Sequence, residues 1–151
     1  MEAPRPLRTW LVVHGASHLA GGLALLAAPG LVLQRLGWTT VGPVLPRVVG
    51  AAALAIGAAS LRAHDAAPEV VRARVRLNLA WSFTAAAALF IYIGAGAPPA
   101  TWAFLSIFIV LTGVWLNAAI RFRQLDRAGA LDETAGADDE SPIADEADRS
   151  E

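Results

Sequence analysis

Four long apolar runs divide the chain: Thr9 to Ala28, Pro46 to Leu61, Val75 to Gly94 and Thr101 to Ile120. Apolar residues follow one another in each run without the alternation of a half-buried strand. Most of the runs approach the roughly 20 residues that a helix rising about 1.5 Å per residue needs to cross a hydrocarbon layer about 30 Å thick. The second is the shortest; it can be extended outward to Val41 or inward to Ala63, and snorkelling or local thinning accommodates a short span. Helices are predicted because they satisfy all their own backbone polar groups in lipid, and because the runs lack the dyad pattern of barrel strands. The breaks between runs agree with this division. Pro29-Gly30 ends the first, Pro43 and Pro46 introduce the second, and Gly94-Ala95-Gly96-Ala97-Pro98-Pro99 is a tight turn before the fourth. The pattern therefore predicts an all-α integral membrane protein, a four-helix bundle over residues 1–124.

Two segments lie outside the runs. Leu31 to Trp38 mixes apolar residues with Arg35 and a terminal Trp, which suits a short interfacial helix anchored by Trp38 between spans one and two. Residues 125–151 are rich in Ala, Asp and Glu and are predicted to be a disordered acidic tail, with too little apolar surface to offset the entropy of ordering.

Composition reinforces the membrane reading. Hydrophobic residues make up 56% of the chain and charged residues 17%, with a mean hydropathy of +0.50, so lipid must take the place of water around much of the surface. The absence of cysteine excludes disulfides, thiolate metal sites and cysteine nucleophiles. The net charge of -1 conceals two unlike parts: ten arginines against three acids through Gln124, then ten acids against two arginines from Leu125 onward. Arg5 and Arg8 precede span one, Arg62, Arg72, Arg74 and Arg76 flank the loop between spans two and three, and Arg121, Arg123 and Arg127 follow span four. By the positive-inside rule, a multi-pass protein of the cell membrane with both termini cytoplasmic is expected. A cleaved signal peptide is the alternative for the first run, but that run is longer than an ordinary signal core and His14 and His18 interrupt it.

Polar residues inside a span are costly and mark the places to look for function. His14 and His18, four apart, project from one face of span one. A metal site wants three or four ligands, commonly with a carboxylate, and no apolar run contains Asp or Glu, so neither a metal nor a cofactor is expected. On span two Arg47, Gly50, Ala53, Gly57 and Ser60 form a small-residue stripe of the kind that lets helices approach closely, with Arg47 near enough to the outer end to snorkel. Arg74, Asn78 and either Trp81 or Ser82 share a face of span three; Ser106, Val110, Gly113 and Asn117 share one of span four. At about 1.5 Å per residue, His14, Asn78 and Asn117 lie within roughly 5 to 10 Å of the cytoplasmic boundary and are expected to meet, as interhelical hydrogen-bond glue or as the floor of a polar pocket.

No phosphate loop, Ser-His-Asp order or carboxylate pair is present, so nothing points to an enzyme. The arginines around residues 72–76 are explained by topology and lipid headgroups, without nucleic acid. The run Ala28-Pro29-Gly30-Leu31-Val32-Leu33-Gln34-Arg35-Leu36-Gly37, followed by Pro46-Arg47-Val48-Val49-Gly50 and the alanines to Gly57, resembles the small four-helix prokaryotic membrane proteins of the DoxX-like and related families. The resemblance covers roughly the first 120 residues and implies a four-helix bundle with an accessory role, in some members tied to quinone-linked redox systems; it carries no catalytic residue. The expected function is a non-enzymatic accessory or interaction bundle, in contact with the bilayer and able to form a homo-oligomer through Gly50, Ala53 and Gly57 or to join a larger membrane complex. The alternative is a binder or carrier of a small hydrophobic or anionic ligand, a quinone or lipid, held by His14, His18, Arg47, Asn78 and Asn117.

Overall fold

The computed structural model describes residues 5–39 and 41–139, and among them the fold is all-helical with no strand. Five helices follow in order: α1 (Arg5–Ala27), α2 (Pro29–Arg35), α3 (Val44–Ala63), α4 (Pro68–Gly94) and α5 (Ala100–Asp139). Four of them are long and apolar enough to cross a membrane, over Pro6–Ala27, Val44–Ala63, Pro68–Gly94 and Ala100–Ala128.

Local chemistry sets the boundaries. Helix α4 starts at Pro68, where the missing N–H of proline is harmless, and carries Glu69 in its first turn beside the free backbone N–H groups. It thus begins seven residues before the apolar run at Val75, because Arg72, Arg74 and Arg76 interrupt hydropathy but not helicity. A short helix, α2, forms where one was expected between the first two apolar runs. It ends in a Schellman motif: Trp38 N donates to Leu33 O at 2.8 Å and Gly37 N to Gln34 O at 3.1 Å, with Gly37 at φ +86°. A side chain at Gly37 would also meet Pro98 at 3.1 Å, so the residue is glycine for two reasons. Trp38 packs on Phe104 of α5, with ring centroids 5.8 Å apart.

Helix α5 corrects the boundary expected at Leu125. It continues to Asp139, so residues 125–139, assigned by composition to a disordered tail, are helical. A helix already running needs no new nucleus, and the alanines and Leu131 of this stretch are good formers. Residues 140–151, the remainder of that tail, lie outside the described residues.

The tightest seam joins α1 and α3. Gly22 faces Gly50 and Gly15 faces Gly57, so the two helices run antiparallel with matched glycines seven residues apart. The approach is close enough that a Cβ added at Gly22 would sit 2.7 Å from Gly50 O, and one at Gly57 2.7 Å from Gly15 O. The small-residue stripe of α3 is therefore spent within the chain. Gly50 and Gly57, the positions expected to serve self-association, are buried against α1 of the same chain.

Helices α4 and α5 form the second close pair, and all four long helices contribute to one core: Leu7 and Leu11 from α1, Ala63 from α3, Val71 and Val75 from α4, Trp115 and Phe122 from α5. At this end Arg8 lies 3.8 Å from Asp65, and Arg72 lies 3.0 Å from Asp126. His64 Nδ1 donates to the Leu61 carbonyl and its Nε2 lies 2.7 Å from Asp65. These partly exposed pairs add little stability; they mark which helix ends lie together.

Candidate functional site

The polar residues that the core encloses come from three helices. Ser60, near the end of α3, is fully buried and stands between His14 of α1 and Arg74 of α4. Arg74 Nε donates to Ser60 Oγ at 3.1 Å, and Arg74 Nη2 donates to the Ile56 carbonyl at 2.5 Å. His14 Nδ1 lies 3.3 Å from the same Ser60 oxygen. A serine hydroxyl has one proton, so the arrangement that uses each group once runs from Arg74 to Ser60 to His14, leaving His14 Nε2 as the protonated ring nitrogen. His18 Nδ1 donates to the His14 carbonyl at 3.0 Å, and the two imidazoles stack with centroids 4.1 Å apart. Trp115 of α5 closes the site, its ring edge-on to His14 at 5.2 Å.

Arg74 is only 7% exposed, and among the described residues the partners of its guanidinium are a hydroxyl and a carbonyl, with no carboxylate. One turn further along the same face, Asn78 is fully buried and neither atom of its amide has a partner. Ser82, a turn beyond, is buried with its hydroxyl unpaired, and His14 Nε2 and Trp115 Nε1 are buried and unpaired as well. Such atoms are scarce in a folded interior because each one costs about 1–3 kcal/mol. Three of them, on Asn78 and Ser82, share one face of α4 with the buried Arg74, and His14 and Trp115 come to the same interior from α1 and α5.

The residues predicted from sequence divide accordingly. His14 and the Asn78 face lie in the interior, and His18 is half-buried beside them. Asn117 does not join them: it is exposed, and its Oδ1 accepts from Arg121 Nε at 3.2 Å on the same helix. The expected meeting of His14, Asn78 and Asn117 is thus corrected. Trp115 points inward, and a residue two positions on is turned by about 200°, so Asn117 points away. Arg47 is exposed at the far end of α3, thirteen residues from Ser60 or about 20 Å along the helix. Sequence reasoning did not assign Arg74, Ser60 and Trp115 to the site. Arg74 was counted among the topogenic arginines, although its four-residue spacing from Asn78 carried the signal.

Two grooves lie elsewhere. One of about 200 Å³ between α1 and α5 is lined by Trp10, Asn117 and Arg121 among others; the second, of about 500 Å³, lies between α4 and α5. Neither is lined by His14, His18 or Asn78. Among the described residues no third potential ligand joins the two histidines.

Ser60→Ala is the sharpest test of the network, because it strips a partner from both His14 and Arg74 without adding bulk. We expect a loss of about 1–2 kcal/mol, the upper part of the range for interhelical hydrogen bonds in membranes, in reversible unfolding in mixed micelles. Asn117→Ala, removing an exposed contact within one helix, should change stability by less than about 0.5 kcal/mol.

No family model, no curated protein and no solved structure matches this chain.

Proposed function

We propose that the chain is a four-span membrane bundle, with both ends on the cytoplasmic side, that acts as a non-enzymatic accessory or interaction protein of the cell membrane. One observation carries this reading: the distribution of polarity is inverted. Phe83, Phe90, Ile91, Val44 and Leu45 are 64–74% exposed, whereas Arg74, Asn78, Ser60, Ser82 and His14 are at most 7% exposed. An aqueous solvent would select against both halves of that pattern, and a hydrocarbon solvent selects for both. The clustering of Arg8, Arg72, Arg76, Arg121 and Arg123 at one end of the long helices, against Arg35 and Arg47 at the other, supports the orientation.

A second reading is favoured by the unpaired atoms of Asn78, Ser82 and His14 beside a buried arginine that lacks a carboxylate. It is a binder of a small anionic or quinone-like ligand held inside the bundle, in line with the resemblance to DoxX-like proteins. Native mass spectrometry after gentle extraction separates the two. A stoichiometric membrane-protein complex with no small molecule whose retention depends on Asn78 supports the first. A retained small molecule that is lost from Asn78→Leu, with the fold intact, supports the second and displaces the first.

A further inference from the structure

The groove between α4 and α5 combines two kinds of wall. At one end stand Arg72 and Arg76, four apart on α4, with Arg123 and Asp126 on α5. Arg72 is engaged: it lies 3.0 Å from Asp126 and 5.4 Å over the Phe122 ring. Its Nε is nevertheless buried without a partner. Arg76 and Arg123 are exposed. Three guanidinium groups against one carboxylate leave this end with a net charge of +2. From there the groove continues along Val75, Leu79 and Phe83 on one side and Leu116 on the other, and the small side chains of Ala80 and Ala119 provide its depth. Arg76 to Phe83 spans seven residues, about 10 Å along the helix.

Neither wall alone requires this shape. A free anion would use the arginines and leave the apolar channel unfilled; a neutral hydrophobe would use the channel and leave the net positive charge of the basic end without a counter-charge. An amphiphile with a phosphate head and an acyl tail uses both, and guanidinium forks bind phosphate oxygens in pairs. Basic pockets between membrane helices on the cytoplasmic side recognise anionic headgroups in this way. A zwitterionic headgroup fits less well. Its ammonium adds a cation among three others, and the one acid that would receive it is already paired with Arg72.

We infer that the α4/α5 groove is a binding site for one anionic phospholipid, with the phosphate at Arg72, Arg76 and Arg123 and an acyl chain along Ala80 and Ala119. The inference rests on the membrane reading and uses residues distinct from the interior His14–Ser60–Arg74 network. The full chain is reconstituted into vesicles of equal phosphatidylglycerol and phosphatidylcholine, released in mild detergent and examined by native mass spectrometry for retained lipid. One phosphatidylglycerol per chain is expected, favoured over phosphatidylcholine by on the order of tenfold or more, since each basic residue near a lipid surface contributes several-fold. The double variant R76Q/R123Q, altering two exposed side chains, should lose that preference. The double variant A80L/A119L, which fills the channel and leaves every arginine in place, should lose the lipid. Equal retention of both lipids overturns the inference, as does a preference that survives R76Q/R123Q. Retention by A80L/A119L overturns it too, since charge alone would then explain the binding; helicity and thermal midpoint establish that each variant folds. If the chain fails to enter vesicles, the membrane reading falls; if it enters and retains no anionic lipid, only this inference does.

Discussion

A leucine at Gly57 should prevent α1 and α3 from closing, and even an alanine there should cost about 1–3 kcal/mol, the usual penalty for overpacking. The added Cβ would lie 2.7 Å from Gly15 O and 3.0 Å from Leu19 N. Both are backbone atoms and cannot rotate away, so the helices must separate along the whole seam. Gly22 stands in the same position, 2.7 Å from Gly50 O. Separation forced by one substitution relieves the other, so G22A/G57A should cost less than the sum of the single changes. Gly21 and Gly113 provide the control, since a Cβ at either meets nothing within 4 Å. Alanine at those positions should leave stability unchanged or slightly raised, as alanine suits a helix better than glycine. Reversible unfolding in mixed micelles measures all of these, and equal losses at Gly57 and Gly21 would contradict the seam.

Trp115→Ala should be comparably damaging, at about 3 kcal/mol, and should act on the polar network as well as on packing. Trp115 is fully buried in the cluster formed with Leu11, Val71 and Val75. Aromatic truncations in soluble cores cost about 3–5 kcal/mol. On the proposed membrane reading the lower end applies, because the side chain's alternative environment would be lipid and the loss would come chiefly from the cavity and the missing dispersion contacts. The same ring lies edge-on to His14, so its removal frees that imidazole to leave Ser60. Trp115→Phe keeps an aromatic edge and removes a buried indole N–H that has no partner; it should recover more than half of the loss. A loss equal to that of alanine would show that the indole N–H is engaged after all.

The four long helices were legible because apolar length is a strong, local signal. Their true starts were less so: hydropathy stops at the arginines of α4, whereas the helix begins at Pro68. The charge-rich stretch after Gln124 likewise looked unable to order, but it extends an existing helix to Asp139. Within the site, the shared face of His14 and His18 followed from their spacing. The placement of Asn117 failed because depth in a membrane carries no azimuth; only the inward turn of Trp115, two residues earlier, decides it. The glycine stripe on α3 was visible on its own. Its mates Gly15 and Gly22 carry the same seven-residue spacing, but only the fold aligns them in antiparallel register. Spacing placed Arg74 on the Asn78 face but did not separate its role from that of its neighbours; Arg72 and Arg76 face the α4/α5 groove, whereas Arg74 bonds Ser60.

The central claim is that four helices cross the membrane with both ends on the cytoplasmic side, and the cysteine-free sequence makes it directly measurable. Single cysteines are introduced at Ala67 in the α3/α4 connection, at Ala95 between α4 and α5, and at Ala128 beyond the fourth span, all three exposed. Intact cells are treated with a membrane-impermeant thiol reagent, then lysed and labelled again. The account predicts reaction at Ala95→Cys before lysis, and at Ala67→Cys and Ala128→Cys only afterwards. Labelling of Ala67→Cys in intact cells with Ala95→Cys protected would reverse the orientation, and labelling of Ala67→Cys and Ala95→Cys from the same side would contradict the four-span bundle itself.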